Sequence, residues 1–172
     1  MLEKKPRLFF AIWPPQAAAE SLHRWALQAQ HETGGRVTRA DTIHLTLAFL
    51  GEAEPEGAAA AASSVRAARH ELPIEQARYW PHNHIVWVGP REMPPALAAM
   101  AGALSGSLSK GGFTLEARAF HAHVTLIRKA RAQGALPPLP AVAWPVEKFA
   151  LVRSELAADG ARYSVLQRFT LD

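Results

Sequence analysis

The chain has 172 residues, of which 49% are hydrophobic, and a formal net charge of +4 at pH 7. That is enough apolar material for a sizeable core in one compact domain or two closely packed lobes. The chain contains no cysteine, which excludes disulfides, thiolate zinc sites and cysteine nucleophiles. The basic balance favours an anionic partner, because phosphates are attracted to Lys and Arg.

The N-terminal stretch MLEKKPRLFFAIWPP has a basic start followed by an apolar run. The run covers only residues 8–13 before two prolines stop it, which is too short for a signal-peptide core. No stretch approaches the ~20 apolar residues of a membrane span. We therefore expect a soluble, cytoplasmic protein with no membrane partner.

Strand-like and helix-like segments alternate along the chain. Hydrophobic spacing, prolines and glycine pairs predict helices over 16–30, 54–70 and 96–109. They predict strands over 7–13, 42–50, 74–80, 85–88, 113–117, 123–128, 146–151 and 163–171. The Pro- and Ala-rich residues 131–144 are predicted to be an irregular loop, since proline removes backbone donors.

One order of features occurs twice. A strand, a Pro-Pro pair, a helix, a Gly-Gly pair and the motif His-x-Thr-Leu follow one another in each half. Pro14 precedes His44 by 30 residues, and Pro94 precedes His123 by 29. This repeat predicts an internal duplication. We expect residues 1–172 to form a single bilobal domain, with the two motifs opposite each other across a pseudo-twofold axis.

Each motif presents a polar pair on one face of its strand. Side chains two apart in a strand point the same way, so His44 shares a face with Thr46, and His123 shares a face with Thr125. The intervening apolar residues face the core. Two histidines in one cleft suit acid–base work near neutral pH, and two threonine hydroxyls can donate to phosphate oxygens. The fitting reaction is a metal-free, in-line displacement at phosphorus, for which a strained 2′,3′-cyclic phosphate is well suited.

The sequence resembles the two-histidine phosphoesterases, and within them the RNA 2′,3′-cyclic phosphodiesterases, also called 2′-5′ RNA ligases. RLFFAIWPP resembles the opening strand of that family, and TIHLTLAFLGE resembles its first motif. HAHVTLIRKAR resembles the second motif, and FALVRSELAADGARYSVLQRFTL resembles the closing strands. The resemblance covers nearly the whole chain. It implies an α+β, bilobal fold, in which two lobes of antiparallel sheet with outer helices flank an active-site groove.

The resemblance also implies roles for individual residues. His44 would be the general acid and His123 the general base, cleaving the bond to O3′ and leaving a 2′-phosphate. Thr46 and Thr125 would bind the phosphate, and Arg128 resembles a family arginine beside it. No cofactor is implied. The implied partner is RNA with a 2′,3′-cyclic phosphate end, such as a tRNA fragment, acted on by a monomeric enzyme.

Three positions raise questions of their own. Phe10 on the first strand is a candidate for stacking a nucleobase. Strict alternation places Arg128 on the opposite face from His123, so it must lie where the strand ends or twists. The second motif departs from the family in having Ala122 where proline is common, with His121 one residue earlier, on the face of His123.

Other functions are open from the sequence. The pairs His82-x-His84 and His121-x-His123 could chelate a metal in a metal-dependent phosphohydrolase. Basic residues with Tyr79, Trp80 and Trp87 could instead form a non-catalytic RNA-binding module. Ligation of a cyclic phosphate to a 5′-hydroxyl would use the same groups as hydrolysis, and the chain has no GxxxxGK[ST] loop for ATP.

Overall fold

The secondary structure is taken from a computed structural model that describes residues 4–116, 119–131 and 134–172. The strands are β1 Arg7–Ile12, β2 Arg36–Val37, β3 Leu45–Glu52, β4 His70–Glu71, β5 Gln76–Trp80, β6 Ile85–Gly89, β7 Val124–Arg128, β8 Pro145–Val146, β9 Lys148–Ala157 and β10 Gly160–Thr170. The α-helices are α1 Gln16–Thr33, α2 Pro55–Ser63 and α3 Pro95–Lys110. A short 3₁₀ helix, Ala40–Thr42, precedes β3.

Two antiparallel sheets organise the described residues. The first sheet has the strand order β10-β9-β1-β3, and the second has the order β2-β7-β6-β5. In each sheet the strand before the Pro-Pro pair is hydrogen-bonded to the motif strand, β1 to β3 and β6 to β7. The motif strands β3 and β7 also contact each other between the sheets. The predicted α+β, two-lobed architecture is confirmed, and it brings the two motifs face to face.

Prolines and glycines set the ends of the long helices. Pro15 precedes α1, and Pro95 occupies the first turn of α3, where its missing N–H costs nothing. Gly34 ends α1 with φ +65°, and its N–H donates to the carbonyl of Gln30 at 2.8 Å. Glycine adopts this left-handed conformation without the steric cost of a Cβ.

Each long helix packs against the motif strand of the other sheet. Helix α1, which follows β1 of the first sheet, packs against β2 and β7 of the second. Helix α3 packs against β3 of the first sheet. Their apolar faces join one continuous core cluster that includes residues of both sheets, among them Leu22, Leu45, Leu104 and Val124. The two halves of the chain are therefore intertwined through their helices.

Several predicted elements differ from the observed ones. The helix predicted over 54–70 ends at Ser63. There the hydroxyls of Ser63 and Ser64 donate to the carbonyls of Ala60 and Ala61, and such side-chain bonds compete with helix propagation. The chain then extends so that β4 can pair with β8.

The strand predicted over 113–117 is also not observed where the chain is described. Residues 113–116 are not a strand, and Ala117 lies outside the described residues. Along the described parts of the chain, no helix is both long and apolar enough to cross a membrane.

Candidate active site

His44 is held at the start of β3 by its neighbours and by the backbone. Ile43 and Leu45 on either side are fully buried, so the alternation of the chain turns the imidazole the other way. Its Nδ1–H donates to the carbonyl oxygen of Thr42 at 2.7 Å. A carbonyl can only accept, so Nδ1 carries the proton and the Nε2 lone pair accepts from the Thr46 hydroxyl at 3.1 Å.

His123 is held in the same manner just before β7. Ala122 and Val124 flank it and are buried. The His123 Nδ1–H donates to the carbonyl oxygen of His121, two residues earlier, at 3.0 Å. In both motifs a backbone carbonyl fixes the tautomer with the proton on Nδ1 and leaves the lone pair on Nε2. The similarity of the two motifs thus extends to the hydrogen bond that orients each imidazole.

The two motifs line one cavity of about 340 Å³ between the sheets. His44, Thr46, His123, Thr125 and Arg128 all contribute to its wall. All five residues that the sequence singled out for acid–base work or phosphate binding therefore meet in one place.

A β-bulge turns Arg128 toward this cavity. Thr125 pairs with Trp87 and Ile127 pairs with Val86, so Leu126 has no partner of its own on β6. The extra residue inverts the alternation, and Leu126 and Ile127 are both buried. Arg128 consequently lies on the face of His123, whereas strict alternation predicted the opposite face.

Two further arginines, which the sequence did not single out, line the cavity. Arg36 donates from Nη2 to the carbonyl oxygen of Asp159 at 2.8 Å, which ties the tip of the β9–β10 hairpin to the edge of the second sheet. Arg39 pairs with Asp41 at 3.2 Å. With Arg128, these side chains give the cavity a cationic wall. Neither arginine belongs to a recognisable motif, so only the fold reveals them.

Aromatic side chains enclose His44. Its ring centroid lies 5.0 Å from that of Trp13, in a stacked arrangement, 5.2 Å from Phe9 and 5.4 Å from Tyr163. Phe9 and Trp13 lie four apart along an extended segment, so alternation places them on one face. That spacing indicates that Phe9 and Trp13 share a face, and the fold shows that this face borders His44.

Phe10 points away from the site. Its side chain is fully buried, and its ring packs 6.0 Å from Phe149 and 6.2 Å from Phe169 in the core. A ring without exposed surface cannot stack on a nucleobase, so the expectation for Phe10 was wrong. Its neighbour Phe9 faces the site instead.

His123 has a different aromatic neighbourhood. Its ring centroid lies 4.9 Å from that of Trp80 and 6.2 Å from that of Trp87. The Trp80 ring also contacts the rings of His82 and His121. His121 is exposed, and it contributes its carbonyl oxygen rather than its imidazole to the orientation of His123.

The histidines of both motifs favour the neutral form. Burial lowers the pKa of His44 from 6.5 to about 4, partly offset by the hydrogen bond to Thr42, and the positive charge of Arg128 lowers it further. Burial also lowers the pKa of His123, partly offset by the hydrogen bond to the backbone of His121, and electrostatic repulsion from the His121 imidazole and Arg128 lowers it further. In the free protein near pH 7, both Nε2 atoms therefore carry lone pairs.

A metal site is not evident from the side chains. In the part of the chain that the structure describes, no three His, Cys, Asp or Glu residues are grouped so that they could hold a metal ion. In the first candidate chelating pair, the Tyr79 hydroxyl lies 3.2 Å from His84 Nδ1, and the His82 ring lies against Trp80.

Comparisons with known proteins identify the family of the chain. A family model described as LigT like Phosphoesterase matches residues 12–87. The chain is 35% identical to the RNA 2′,3′-cyclic phosphodiesterase of Escherichia coli (strain K12), covering 99% of both chains. It is 33% identical to the protein of the same name from Thermus thermophilus, covering 96% of this chain and 90% of that one.

Comparison of the three-dimensional structures supports the same family. The crystal structure of E. coli LigT complexed with 3′-AMP superposes with a TM-score of 0.89 and 34% sequence identity, over 96% of this chain and 98% of that one. Sequence and structure agree over nearly the full length, and the chain belongs to the LigT-like phosphoesterases.

Proposed function

We propose that this protein hydrolyses 2′,3′-cyclic phosphate ends of RNA to 2′-phosphate ends, with His44 and His123 as the acid–base pair and without a metal. The observation that carries the proposal is the matched pair of imidazoles, each fixed by a backbone carbonyl with Nε2 available in one cationic cavity. Two relatives named RNA 2′,3′-cyclic phosphodiesterase support the substrate. The LigT structure with 3′-AMP supports a nucleotide with phosphate on its ribose.

The phosphate-binding residues follow from charge and geometry. Arg128 supplies a guanidinium that can bind two phosphate oxygens at once. Thr46 and Thr125 each supply a hydroxyl donor from the same wall. These donors neutralise the charge that builds on the non-bridging oxygens as phosphorus becomes five-coordinate.

The reaction is an in-line displacement. His123 Nε2 takes a proton from water as the water oxygen bonds to phosphorus. The P–O3′ bond breaks, and His44 Nε2–H gives its proton to O3′. The product has a 2′-phosphate and a 3′-hydroxyl, and solvent exchange removes the proton from His123 and restores the one on His44.

Substrate charge prepares His44 for its role as acid. In the free protein its pKa is about 4, which disfavours the protonated form at neutral pH. A phosphodiester anion in the cavity favours the imidazolium by direct attraction. His123 is already neutral, as a general base requires. The bound substrate therefore supplies the charge that distinguishes the two histidines.

Finer aspects of the proposal rest on the family resemblance. The same groups can act in reverse, with the 5′-hydroxyl of a second RNA replacing water to give a 2′-5′ bond. We propose tRNA fragments as substrates, a monomeric enzyme and a cytoplasmic location, where such RNA ends arise. We also propose that residues 1–172 act as one bilobal domain, because each half contributes one histidine and one core cluster joins them.

The test uses a short RNA that ends in a 2′,3′-cyclic phosphate, assayed with EDTA present, and identifies the product. The wild type should yield a 2′-phosphate end. His44→Ala and His123→Ala should each lose about 100- to 10,000-fold in rate. His31→Ala, an exposed histidine outside the cavity, is the matched control and should retain full activity.

Other outcomes would identify the rival functions. Activity that EDTA abolishes and a divalent metal restores would replace this mechanism with a metal-dependent one. RNA affinity without turnover, unchanged in His44→Ala and His123→Ala, would make the protein a binding module.

A further inference from the structure

A second cavity adjoins the catalytic one. It has a volume of about 630 Å³ and shares Thr46, Asn83 and His123 with the catalytic cavity. Its walls come from both sheets, with Phe49 of β3 on one side and Trp80 of β5 on the other. The two cavities therefore form a continuous groove that passes directly over the proposed reaction centre.

The chemistry of the two cavities is different. The catalytic cavity is lined by three arginines, whereas no Lys or Arg is among the described residues that line the second. The second cavity instead has the rings of Phe49, Trp80 and Phe120 and the imidazoles of His82 and His121. We call the second cavity the aromatic groove. A phosphate favours the cationic side, and a flat, uncharged ring favours the aromatic side.

Trp80 is built as a platform. Its ring is backed by Trp87, with centroids 4.8 Å apart, and Trp87 is almost completely buried. Trp80 itself is only half-buried and lines the groove, so part of its ring is reachable from there, while Trp87 packs against it with the two ring planes tilted by 47°. Its centroid lies 4.9 Å from that of His123, which places the platform beside the reacting phosphate.

Phe49 is the second notable ring. It is 44% exposed, although it lies on the strand that carries the first motif. The Arg7 guanidinium lies 5.5 Å from its centroid. Phe49 lines one cavity with Trp80 and Phe120, and a cavity lined by several aromatic rings with a few polar groups is typical of a ligand-binding site.

We propose that the aromatic groove binds the nucleobase of the nucleotide that carries the cyclic phosphate, stacked on Trp80. This inference rests on the proposed function, since it assigns the base of that substrate. The proposal follows from the position of Thr46 and His123, which line both the catalytic cavity, where the phosphate would bind, and the aromatic groove. Every base has a π-face, so stacking would accept any nucleobase, while Asn83, His82 and His121 can contact its edge.

The test compares two substrates that differ only in the base. One is adenosine 2′,3′-cyclic phosphate, and the other is methyl ribofuranoside 2′,3′-cyclic phosphate, which has no base. For Trp80→Leu, kcat/KM should fall about 5- to 100-fold more for the adenosine substrate than for the substrate without a base. Phe49→Leu should also lower kcat/KM more for the adenosine substrate than for the substrate without a base, but by a smaller factor. It tests the same groove through a different ring, so the result does not depend on the folding of Trp80→Leu.

Trp13→Leu is the matched control, because Trp13 packs on the other histidine, His44. It should change kcat/KM of both substrates by the same factor. The opposite result would be a lower ratio of kcat/KM between the adenosine substrate and the substrate without a base in Trp13→Leu, with the wild-type ratio in Trp80→Leu and Phe49→Leu. That result would place the base on the His44 side and overturn the proposal. Equal effects of Trp80→Leu and Phe49→Leu on both substrates would also overturn it.

A binding experiment separates this proposal from the catalytic one. If the wild type turns over neither cyclic phosphate, the proposed function fails. Calorimetric titration with adenosine 2′-phosphate and with methyl ribofuranoside 2′-phosphate then decides the groove independently. Tighter binding of the adenosine ligand that Trp80→Leu abolishes supports the groove, and equal affinity of the two ligands for the wild type overturns it.

Discussion

Gly89 of β6 lies so close to Ala122 that a side chain would not fit between them. A Cβ placed on Gly89 would be 2.6 Å from the carbonyl oxygen of Ala122, a backbone atom that cannot rotate away. Ala122 directly precedes His123, and the carbonyl that orients the His123 imidazole belongs to His121. The small size of Gly89 is thus a condition for the position of a proposed catalytic base.

We predict that Gly89→Ala lowers kcat, although Gly89 itself does not line the catalytic cavity. The added methyl group must displace the 121–123 segment, and a misplacement of about 1 Å can cost about 100-fold in rate. The measurement is kcat and KM on a 2′,3′-cyclic phosphate, with the larger change in kcat.

Gly102→Ala is the matched control for Gly89→Ala. Gly102 lies in α3, and a Cβ placed on it would contact nothing outside its own helix. Alanine there should leave activity unchanged and stabilise the helix by about 0.5–1 kcal/mol. Full activity in Gly89→Ala would mean that the position of the 121–123 segment is not critical.

The pH dependence of catalysis should reflect the lowered pKa values of the two histidines. The proposed mechanism needs one imidazole protonated, and both pKa values in the free protein lie below 6.5. The productive form therefore becomes scarcer as pH rises, and kcat/KM should fall between pH 6.5 and 8.5. A flat profile over that range would contradict the pairing of one acid with one base.

Arg128→Gln should move that profile to higher pH. The Arg128 cation lowers the pKa of both His44 and His123, so its removal raises both values. The absolute rate should fall, because a phosphate ligand is lost. A profile that keeps its position while the rate falls would show that Arg128 binds phosphate without tuning the histidines.

Acid should destabilise the protein partly through His44. Its pKa is about 4 in the folded protein and about 6.5 in the unfolded chain. The unfolded state therefore binds this proton first, and the stability contribution of the neutral imidazole, complete above pH 6.5, is lost as pH falls toward 4. In urea unfolding, the loss of stability between pH 7 and 4.5 should be smaller for His44→Gln than for the wild type. An equal loss would assign the acid sensitivity to other groups.

Phe10→Leu should affect stability and leave substrate preference alone. Replacing this fully buried ring should cost about 1–2 kcal/mol of unfolding free energy, visible as a lower Tm. The ratio of kcat/KM between the adenosine substrate and the one without a base should match the wild type. A changed ratio would restore Phe10 to the substrate site.

The residues of the two motifs could be predicted from the sequence more completely than the residues that surround them. The motif pairs could be placed because each is flanked by apolar residues whose alternation fixes the face of the strand, as Ile43 and Leu45 do for His44. Strand β1 gives no such signal, because it lies between β9 and β3 and is buried on both faces. Whether Phe9 or Phe10 faces the site therefore could not be read from the run RLFFAIW.

Features that depend on pairing between distant segments also could not be predicted from the sequence. The bulge at Leu126 exists only in the register between β6 and β7, so alternation alone misplaced Arg128. The contact of Arg36 with Asp159 joins residues 123 apart in the chain. Composition and periodicity describe one segment at a time, whereas the bulge and the Arg36–Asp159 contact each depend on how two distant segments pair.

The exchange of helices between the sheets has a consequence for the independence of the two halves of the chain. Helix α1 covers β7, and α3 covers β3, so a chain containing one strand–helix–motif unit would leave its helix without its proper sheet. A second copy of that unit would supply the missing surface, and each copy would bring one histidine to the shared cleft. Each half therefore needs the other both to cover its helix and to complete the single cavity in which the two histidines meet.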